Sequence, residues 1–360
     1  MRWLIVAGGT GGHLFPGIAV AQELMRMGRE VYFISGIRKV EKVILKDSPF
    51  KVYELDVEGF LGRSVFNKGR AFLKMGKAVL KAYKLIKKLN PQVIFATGGY
   101  ISFPVVLAGK CQGKVTGLHE QNIEPGLANK VLSKLVDRVF VSIKGSEIHF
   151  PKEKVVFSGN PVRRELLQKK QREHPGKGLL ILGGSLGAKF INEISLKIIP
   201  ELLKDFQDLF VIHQTGLDDY ERIKEMYEKK LRKEQKERLK VCPFIKDMSW
   251  AYSQADLVLG RAGATTLAEL FAIGLPAIFI PFPYATNNHQ EKNARSVAEK
   301  GGAILIKQSE ATPERVLREL KSLLSFPEKL KMMAQAMKSF FIKDSEKIII
   351  NELERLVENA

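Results

Sequence analysis

The sequence is poor in the features that mark several large classes of protein. Cys111 and Cys242 are the only cysteines in 360 residues, which excludes a disulfide framework and favours a reducing compartment. No stretch approaches the ~18 consecutive apolar residues of a membrane-spanning helix. Met1 and Arg2 lead directly into an apolar strand pattern without a cleavable signal sequence, so we expect a protein that stays on the cytosolic side.

Two common nucleotide-binding motifs are also missing. The glycines at positions 8 to 12 fail the dinucleotide pattern G-x-G-x-x-G, because Leu14 stands where its last glycine is needed. The P-loop pattern fails as well, since no Gly-Lys-Ser/Thr follows these glycines. Any phosphate bound here would therefore be held by a different arrangement.

Acidic residues are scarce relative to basic ones. The chain has 58 Lys and Arg against 39 Asp and Glu, a formal net charge of +19. Such a charge suits nucleic acid, an anionic membrane surface or a phosphorylated substrate, and it does not choose among them.

A glycine-rich loop stands at the start of the chain, in the run Gly8-Gly9-Thr10-Gly11-Gly12-His13. It follows an apolar strand pattern and precedes a helical pattern with Pro16 in its first turn. Glycines allow close approach of the backbone, and free N–H groups at a helix start favour an anion. His13 adds a ring that titrates near neutral pH, although a local packing role is the alternative interpretation.

Strand and helix patterns alternate along the chain, which predicts parallel sheets of the α/β class. Seven strands are predicted in the first half, at residues 3–7, 31–35, 52–55, 93–97, 115–119, 138–142 and 155–157. Six are predicted in the second half, at residues 178–182, 209–213, 241–245, 256–260, 275–280 and 303–306. A second glycine loop follows the first strand of the second half, so we expect two Rossmann-like domains that face a cleft.

Residues 66–89 form a basic, amphipathic helix pattern. Residues 60–90 contain nine Lys and Arg and no Asp or Glu. An ordinary helix with its lysines in water is one interpretation, and contact with anionic lipid is the other. Nucleic acid is disfavoured because the aromatic residues lie opposite the lysines, whereas stacking platforms interleave them. The residues expected at a lipid surface are Phe72, Lys74, Met75, Val79, Lys81 and Tyr83.

An ordered series of motifs spans nearly the whole chain and resembles the MurG family of bacterial peptidoglycan N-acetylglucosaminyltransferases. The motifs are Gly8-Gly9-Thr10-Gly11-Gly12-His13, Gly98-Gly99-Tyr100, His119-Glu120-Gln121-Asn122, Gly159-Asn160-Pro161-Val162-Arg163, Gly183-Gly184-Ser185-Leu186-Gly187-Ala188, Arg261-Ala262-Gly263-Ala264 with Glu269, and Pro281-Phe282 with Gln290 and Asn293. Each motif alone would be weak, whereas their common order is highly specific.

The resemblance implies a GT-B fold and an inverting transfer of N-acetylglucosamine. The first domain (1–158) would bind an undecaprenyl-pyrophosphoryl N-acetylmuramoyl-pentapeptide, the second (159–335) would bind UDP-GlcNAc, and a helix in 336–360 would return to the first. The sugar would pass to the C4 hydroxyl of the acceptor, turning lipid I into lipid II. The family also implies a peripheral protein on the cytoplasmic face of the inner membrane, with cell-wall and division protein complexes as partners.

The resemblance also implies roles for individual residues. Backbone groups of Thr10, Gly11 and Gly12 would contact a diphosphate, Asn122 the donor sugar or the acceptor, Arg163 the donor, Ser185 the UDP phosphates and Ile245 the uracil. The helix opening Ala264, Thr265, Thr266, Leu267, Ala268 and Glu269 would face the diphosphate, with Glu269 on the ribose hydroxyls and Gln290 on the sugar.

His13 is the first candidate for the general base, ahead of His119 and Glu120, which could instead order the rim of the acceptor site. The chain lacks an Asp-x-Asp pair that would hold Mg²⁺ on a nucleotide sugar, so no metal and no cofactor are expected. The alternatives are a UDP-GlcNAc epimerase or another lipid glycosyltransferase of the same fold. A basic nucleic-acid-binding protein is the alternative outside enzymes.

Overall fold

The computed structural model describes residues 1–9, 11–57, 65–168, 170–184 and 187–359, and for residues 39–40 and 65–73 it describes the backbone alone. The chain divides into two compact units. Unit 1 comprises Met1–Arg163 and Ile342–Ala360, and unit 2 comprises Arg164–Phe341. These breaks lie a few residues beyond the predicted boundaries at 158 and 335.

Thirteen strands are present in the described residues, and every pairing between them is parallel. Those of unit 1 are β1 (Arg2–Val6), β2 (Glu30–Ser35), β3 (Lys51–Glu54), β4 (Val93–Ala96), β5 (Val115–Glu120), β6 (Arg138–Val141) and β7 (Val155–Phe157). Those of unit 2 are β8 (Gly178–Leu182), β9 (Phe210–Gln214), β10 (Leu239–Cys242), β11 (Leu257–Gly260), β12 (Ala277–Phe279) and β13 (Ala303–Leu305).

Most of the α-helices in the described residues lie between these strands, and three follow β13. In the first part of the chain they are α1 (Gly11–Arg26), α2 (Lys39–Leu45), α3 (Val65–Leu89), α4 (Ser102–Lys110) and α5 (Leu127–Leu132). The rest are α6 (Lys189–Asp205), α7 (Tyr220–Lys230), α8 (Lys233–Lys236), α9 (Met248–Ser253), α10 (Ala264–Ile273), α11 (His289–Ala298), α12 (Pro313–Ser325), α13 (Pro327–Lys338) and α14 (Ser345–Glu358).

The sheet of unit 1 has the order β3-β2-β1-β4-β5-β6-β7. Its middle strand β4 is apolar throughout and fully buried, as expected of a parallel strand with helices on both faces of the sheet. Along β1, Leu4 and Val6 face the core that α3, α4 and α5 complete, whereas Trp3 and Ile5 face the core on the α1 and α14 side. This alternation follows from the two-residue period of a strand.

The C-terminal helix α14 belongs to unit 1 and packs against its sheet. The Glu354 carboxylate accepts two hydrogen bonds from Arg29, at 2.8 and 2.9 Å, and Leu353 lies against Gly117 of β5. A Cβ at Gly117 would lie 2.7 Å from Leu353 Cδ1, so glycine allows the helix to approach the sheet this closely.

The sheet of unit 2 has the order β10-β9-β8-β11-β12-β13. Its core contains Ile181 of β8, Leu259 of β11 and Ile198 of α6, all essentially inaccessible to solvent. In both units the first strand lies inside the sheet, and a glycine loop leaves its carboxyl end, which is where ligands bind in open α/β sheets. The predicted fold class, two Rossmann-like parallel sheets, is confirmed.

No helix in the part of the chain that the structure describes is long and apolar enough to cross a membrane.

Candidate active site

His13 lies in the first turn of α1, directly after the glycine loop. Its Nδ1 atom is 2.8 Å from the carbonyl oxygen of Thr97 and 2.9 Å from Oε1 of Gln121. Both partners are acceptors, so Nδ1 carries the proton and Nε2 holds the lone pair in the neutral ring. Burial lowers the pKa of His13 from its usual value of 6.5, which keeps the ring neutral at pH 7.

Gln121 fixes this tautomer. Its amide nitrogen donates to the Thr97 carbonyl at 2.8 Å and approaches Nδ1 of His119 at 2.9 Å, which leaves its amide oxygen for His13. Gln121 lies in the motif His119-Glu120-Gln121-Asn122, but no role was predicted for it. The side-chain amide of Gln121 is the group by which this motif contacts His13.

His119 lies beneath the site and is fully buried. Its Nε2 atom is 3.0 Å from the carbonyl oxygen of Gly159, and its Nδ1 faces the amide nitrogen of Gln121. Burial lowers the pKa of His119 to about 4. Because both ring nitrogens have partners, this geometry favours a role in ordering the site over proton transfer.

Glu120 orders the loop that follows β5. Its carboxylate accepts from the backbone N–H of Asn122 at 2.9 Å and from the side-chain amide of Asn129 at 2.8 Å. Burial raises the pKa of Glu120, and these hydrogen bonds oppose that rise. Asn122 also donates its side-chain amide to Glu120 at 3.1 Å, so the carboxylate holds both its backbone and its side chain.

Two glycines after β4 allow the loops to come together. Gly98 and Gly99 have φ of 98° and 79°, in the left-handed region that favours glycine. A Cβ at Gly98 would lie 2.8 Å from the Asn129 amide, and one at Gly99 would lie 3.6 Å from the His13 ring. The Gly-Gly pair therefore brings the backbone against the candidate base.

The remaining predicted residues of this site lie nearby in unit 1. Gly11 and Gly12 form the start of α1, and Thr10 lies outside the described residues. The guanidinium of Arg163 lies over the ring of Phe15 in α1, 4.3 Å from its centroid, an arrangement typical of a cation–π contact. Phe15 thus fixes a cation that the resemblance assigns to the donor.

In unit 2, the second glycine loop begins at the end of β8. A Cβ at Gly183 would lie 2.3 Å from the Ala188 backbone nitrogen, and Gly184 and Gly187 have positive φ. This tight turn therefore requires its glycines. Ser185 lies outside the described residues.

Gln214, at the end of β9, connects this loop to the predicted uracil site. It donates to the Gly184 carbonyl at 2.9 Å, and its amide oxygen lies 3.4 Å from the backbone N–H of Ile245. The backbone N–H of Ile245 is thus directed at the Gln214 side chain. Gln214 lies in none of the motifs and was not predicted.

Helix α10 holds the predicted ribose and diphosphate contacts from Ala264 to Glu269. Glu269 is 6% exposed and accepts a hydrogen bond of 2.6 Å from the Tyr252 hydroxyl. Tyr252, which lies in none of the motifs and was not predicted, orients the carboxylate. Within the helix, Thr265 and Thr266 are partly exposed, whereas Leu267 is fully buried and its side chain supports the core.

Gln290, predicted to bind the sugar, is held by the backbone. Its amide oxygen accepts from the N–H of Phe282 at 3.0 Å, which ties this side chain to the loop after β12. Arg261 supports the same loop by donating to the carbonyls of Ile280 and Pro281. Burial lowers the pKa of Arg261 to about 10, so it remains charged at neutral pH.

The basic helix α3 presents two faces. Ala78, Ala82 and Ile86 are buried in the core of unit 1. Met75 is 8% exposed and so offers little surface to lipid, whereas Tyr83 is 40% exposed.

Two of the other predicted lipid contacts of α3, Lys74 and Lys81, have polar partners within unit 1. Lys74 Nζ is 3.4 Å from Asp56 Oδ2, and Lys81 donates to the Glu54 carbonyl at 3.1 Å. Val79 is partly exposed, and the Phe72 side chain lies outside the described residues.

Among the described residues, no group of three or more His, Cys, Asp and Glu side chains could hold a metal ion.

Two Rossmann-like domains, each with a glycine loop after its first strand, are typical of GT-B glycosyltransferases. Residues 3–141 match the glycosyltransferase family 28 N-terminal domain, and residues 178–349 match the family 28 C-terminal domain.

Relatives over nearly the full length carry the name UDP-N-acetylglucosamine–N-acetylmuramyl-(pentapeptide) pyrophosphoryl-undecaprenol N-acetylglucosamine transferase. The protein of Halothermothrix orenii is 37% identical to this chain, and the alignment covers 98% of both sequences. The protein of Syntrophus aciditrophicus is 41% identical, and the alignment covers 92% of both sequences. The crystal structure of Acinetobacter baumannii MurG has a TM-score of 0.75 and 30% identity, covering 99% of this chain and 100% of that one. The chain therefore belongs to the MurG family within glycosyltransferase family 28, which confirms the resemblance predicted from its motifs.

A putative UDP-N-acetylglucosamine 2-epimerase from Listeria monocytogenes shares the fold, with a TM-score of 0.73 over 100% of this chain and 97% of that one. At 15% identity this likeness shows the fold alone.

Proposed function

We propose that this protein transfers N-acetylglucosamine from UDP-GlcNAc to the C4 hydroxyl of undecaprenyl-pyrophosphoryl N-acetylmuramoyl-pentapeptide, with inversion. The observation that carries the proposal is the geometry of His13 in a chain of this family. Its Nδ1 proton is held by Thr97 and Gln121, so Nε2 carries the lone pair of a neutral ring. A neutral imidazole with a fixed lone pair suits the removal of a proton from a sugar hydroxyl.

In the proposed reaction, the acceptor's C4 oxygen attacks the anomeric carbon of the donor sugar. A bond forms between these atoms while the bond from the anomeric carbon to the UDP oxygen breaks. The hydroxyl proton passes to Nε2 of His13, and UDP leaves with the bonding electron pair. Attack on the face opposite the leaving group inverts the anomeric configuration.

Unit 2 supplies the groups proposed to hold the donor. Glu269, oriented by Tyr252, accepts from the ribose hydroxyls, and the Ile245 backbone meets uracil. The NH₂ group of Gln290 contacts the sugar. The start of α10 directs N–H groups at the diphosphate, where the helix dipole favours negative charge.

We propose further that the transfer needs no metal ion. The N–H groups at the start of α10 and the guanidinium of Arg163 would carry the negative charge that develops on UDP. Chelation by EDTA should then leave turnover unchanged.

We also propose that α3 contacts the cytoplasmic face of the inner membrane. Lys77, Lys84 and Lys88 are exposed on this helix, and Leu80 beside them is 64% exposed. Each basic residue near an anionic surface contributes about 1 kcal/mol. Cell-wall and division protein complexes, which the family resemblance implies as partners, would meet the enzyme at that membrane.

Vesicle sedimentation tests the membrane contact. Changing Lys77, Lys84 and Lys88 to Gln should weaken binding to phosphatidylglycerol vesicles by roughly 100-fold, since about 3 kcal/mol is removed. The matched control neutralises Lys224, Lys329 and Lys331, which are exposed in unit 2. Equal losses in both variants would exclude α3 as the contact.

UDP release tests the reaction itself. It is measured from UDP-GlcNAc with and without the lipid-linked muramoyl-pentapeptide, each with and without EDTA. Release that requires the acceptor and survives EDTA supports the proposal. Release without acceptor would indicate an epimerase or a hydrolase on this fold, and no release in any mixture would refute the assigned substrates.

A further inference from the structure

We propose that Glu41 is a positioning residue that holds the first glycine loop in its active shape, an inference that rests on the proposed function of that loop. Glu41 belongs to α2, after the second strand, and lies in none of the motifs. Its side chain is 1% exposed. A carboxylate buried this deeply requires hydrogen-bonded partners.

The two carboxylate oxygens of Glu41 accept hydrogen bonds from different parts of the chain. Oε2 accepts from the backbone N–H of Arg38 at 2.7 Å, which caps the start of its own helix. Oε1 accepts from the backbone N–H of Gly9 at 2.6 Å, in the glycine loop of β1. A residue needed only as a helix cap would have no reason to contact the neighbouring loop.

The glycines around Glu41 support this role. A Cβ at Gly8 would lie 2.8 Å from Oε1, and one at Gly36, at the end of β2, would lie 2.6 Å from both oxygens. The ends of two adjacent strands thus leave space for this carboxylate. The side chain of Arg38 also donates to the Gly9 carbonyl, at 3.0 Å. We call these hydrogen bonds of Glu41 and Arg38 to the Gly9 backbone the clasp.

This clasp fixes both polar groups of Gly9, which has φ of 101° and precedes His13 by four positions. The Gly9 amide therefore belongs to the protein and not to a substrate phosphate. Loss of the carboxylate would release the loop that leads into α1 and alter the position of His13 and of the helix start, without touching unit 2.

The first test compares Glu41→Gln with Glu23→Gln in the full-length enzyme. Glu23 is 2% exposed and paired with Arg26, so it matches Glu41 in burial, and it lies near the other end of α1, twelve residues beyond Gly11. Glu41→Gln should lower kcat/KM for the lipid-linked acceptor at least 10-fold, with UDP affinity by calorimetry within twofold of wild type. Glu23→Gln should change both by less than twofold.

A double-mutant cycle distinguishes an effect on the Glu41 carboxylate from a general loss of structure. Gly36→Ala should be as harmful as Glu41→Gln, because the new methyl group meets the carboxylate. In a Glu41→Ala background the same Gly36→Ala change should cost less than twofold. An equal loss in both backgrounds would overturn the proposal, as would Glu41→Gln with wild-type acceptor kinetics.

Hydrogen exchange of the peptide that contains Gly9 gives a readout independent of turnover. It should accelerate in Glu41→Gln and stay unchanged in Glu23→Gln. Unchanged exchange in Glu41→Gln would refute the clasp, whether or not the enzyme is active. A wild-type enzyme that turns over no substrate would refute the proposed function, and this result is independent of the exchange measurement.

Discussion

Replacing His13 with Asn tests the assignment of the general base most directly. The Asn amide nitrogen can occupy the place of Nδ1, which lies 2.8 Å from the Thr97 carbonyl, so the local hydrogen bond survives. The substitution removes Nε2, the atom with the lone pair. General base catalysis contributes roughly 10²- to 10⁴-fold, so kcat should fall by that factor, or about 3–5 kcal/mol in activation free energy.

The assay measures UDP release at saturating acceptor, together with UDP affinity by calorimetry. UDP affinity should stay within twofold, because the proposed nucleotide contacts lie in unit 2. The wild-type rate should fall as pH drops through the pKa of His13, which burial places below 6.5, since protonation removes the base. The variant should show no such acid limb. A turnover within threefold of wild type, or an unchanged acid limb, would refute the assignment.

Two further predictions concern groups that support the two sites, and a third concerns His213, a histidine buried in β9 between Tyr227 and Asn192. In Gln121→Met, one of the two hydrogen bonds that raise the pKa of His13 is lost, and the one to the Thr97 carbonyl remains. The acid limb of kcat/KM should therefore move to lower pH, and an upward shift would contradict this network. Tyr252→Phe should weaken UDP binding by about 3- to 10-fold, since a net hydrogen bond contributes about 1 kcal/mol, whereas Glu269→Ala should weaken it further; unchanged calorimetric affinities would exclude the ribose contact. Burial lowers the pKa of His213 to about 3, so its neutral form is favoured in the folded state and stability should fall as pH drops below 6.5. Between pH 7 and 5 this histidine alone should cost about 2 kcal/mol in unfolding free energy, and His213→Asn should reduce the pH dependence of urea denaturation by that amount.

The alternation of strands and helices could be predicted almost completely from the sequence. Apolar runs bounded by glycine or polar residues matched each of the thirteen strands in the described residues, with most ends within a residue or two. The clearest difference is β10, predicted at 241–245 and found at Leu239–Cys242. Pro243 follows it and has no N–H to donate to a ladder, so the strand ends before the proline.

The roles of polar side chains could not be predicted in the same way. His119 was a candidate base by its motif, yet its ring nitrogens face Gln121 and the Gly159 carbonyl, which lies 40 residues away. Glu41 and Tyr252 had no motif at all, although each holds a group of the candidate sites. Such partners depend on which loops meet at the edge of a sheet, and a local pattern does not contain that information.

The sequence by itself determined the fold class, the family and the two glycine loops, because periodic burial and glycine spacing are local properties of the chain. The tertiary structure alone decided which nitrogen of His13 carries the proton, which carboxylate holds Gly9 and which hydroxyl orients Glu269. These properties arise where segments distant in sequence bring buried polar atoms together, and each such atom requires a partner of opposite hydrogen-bonding character.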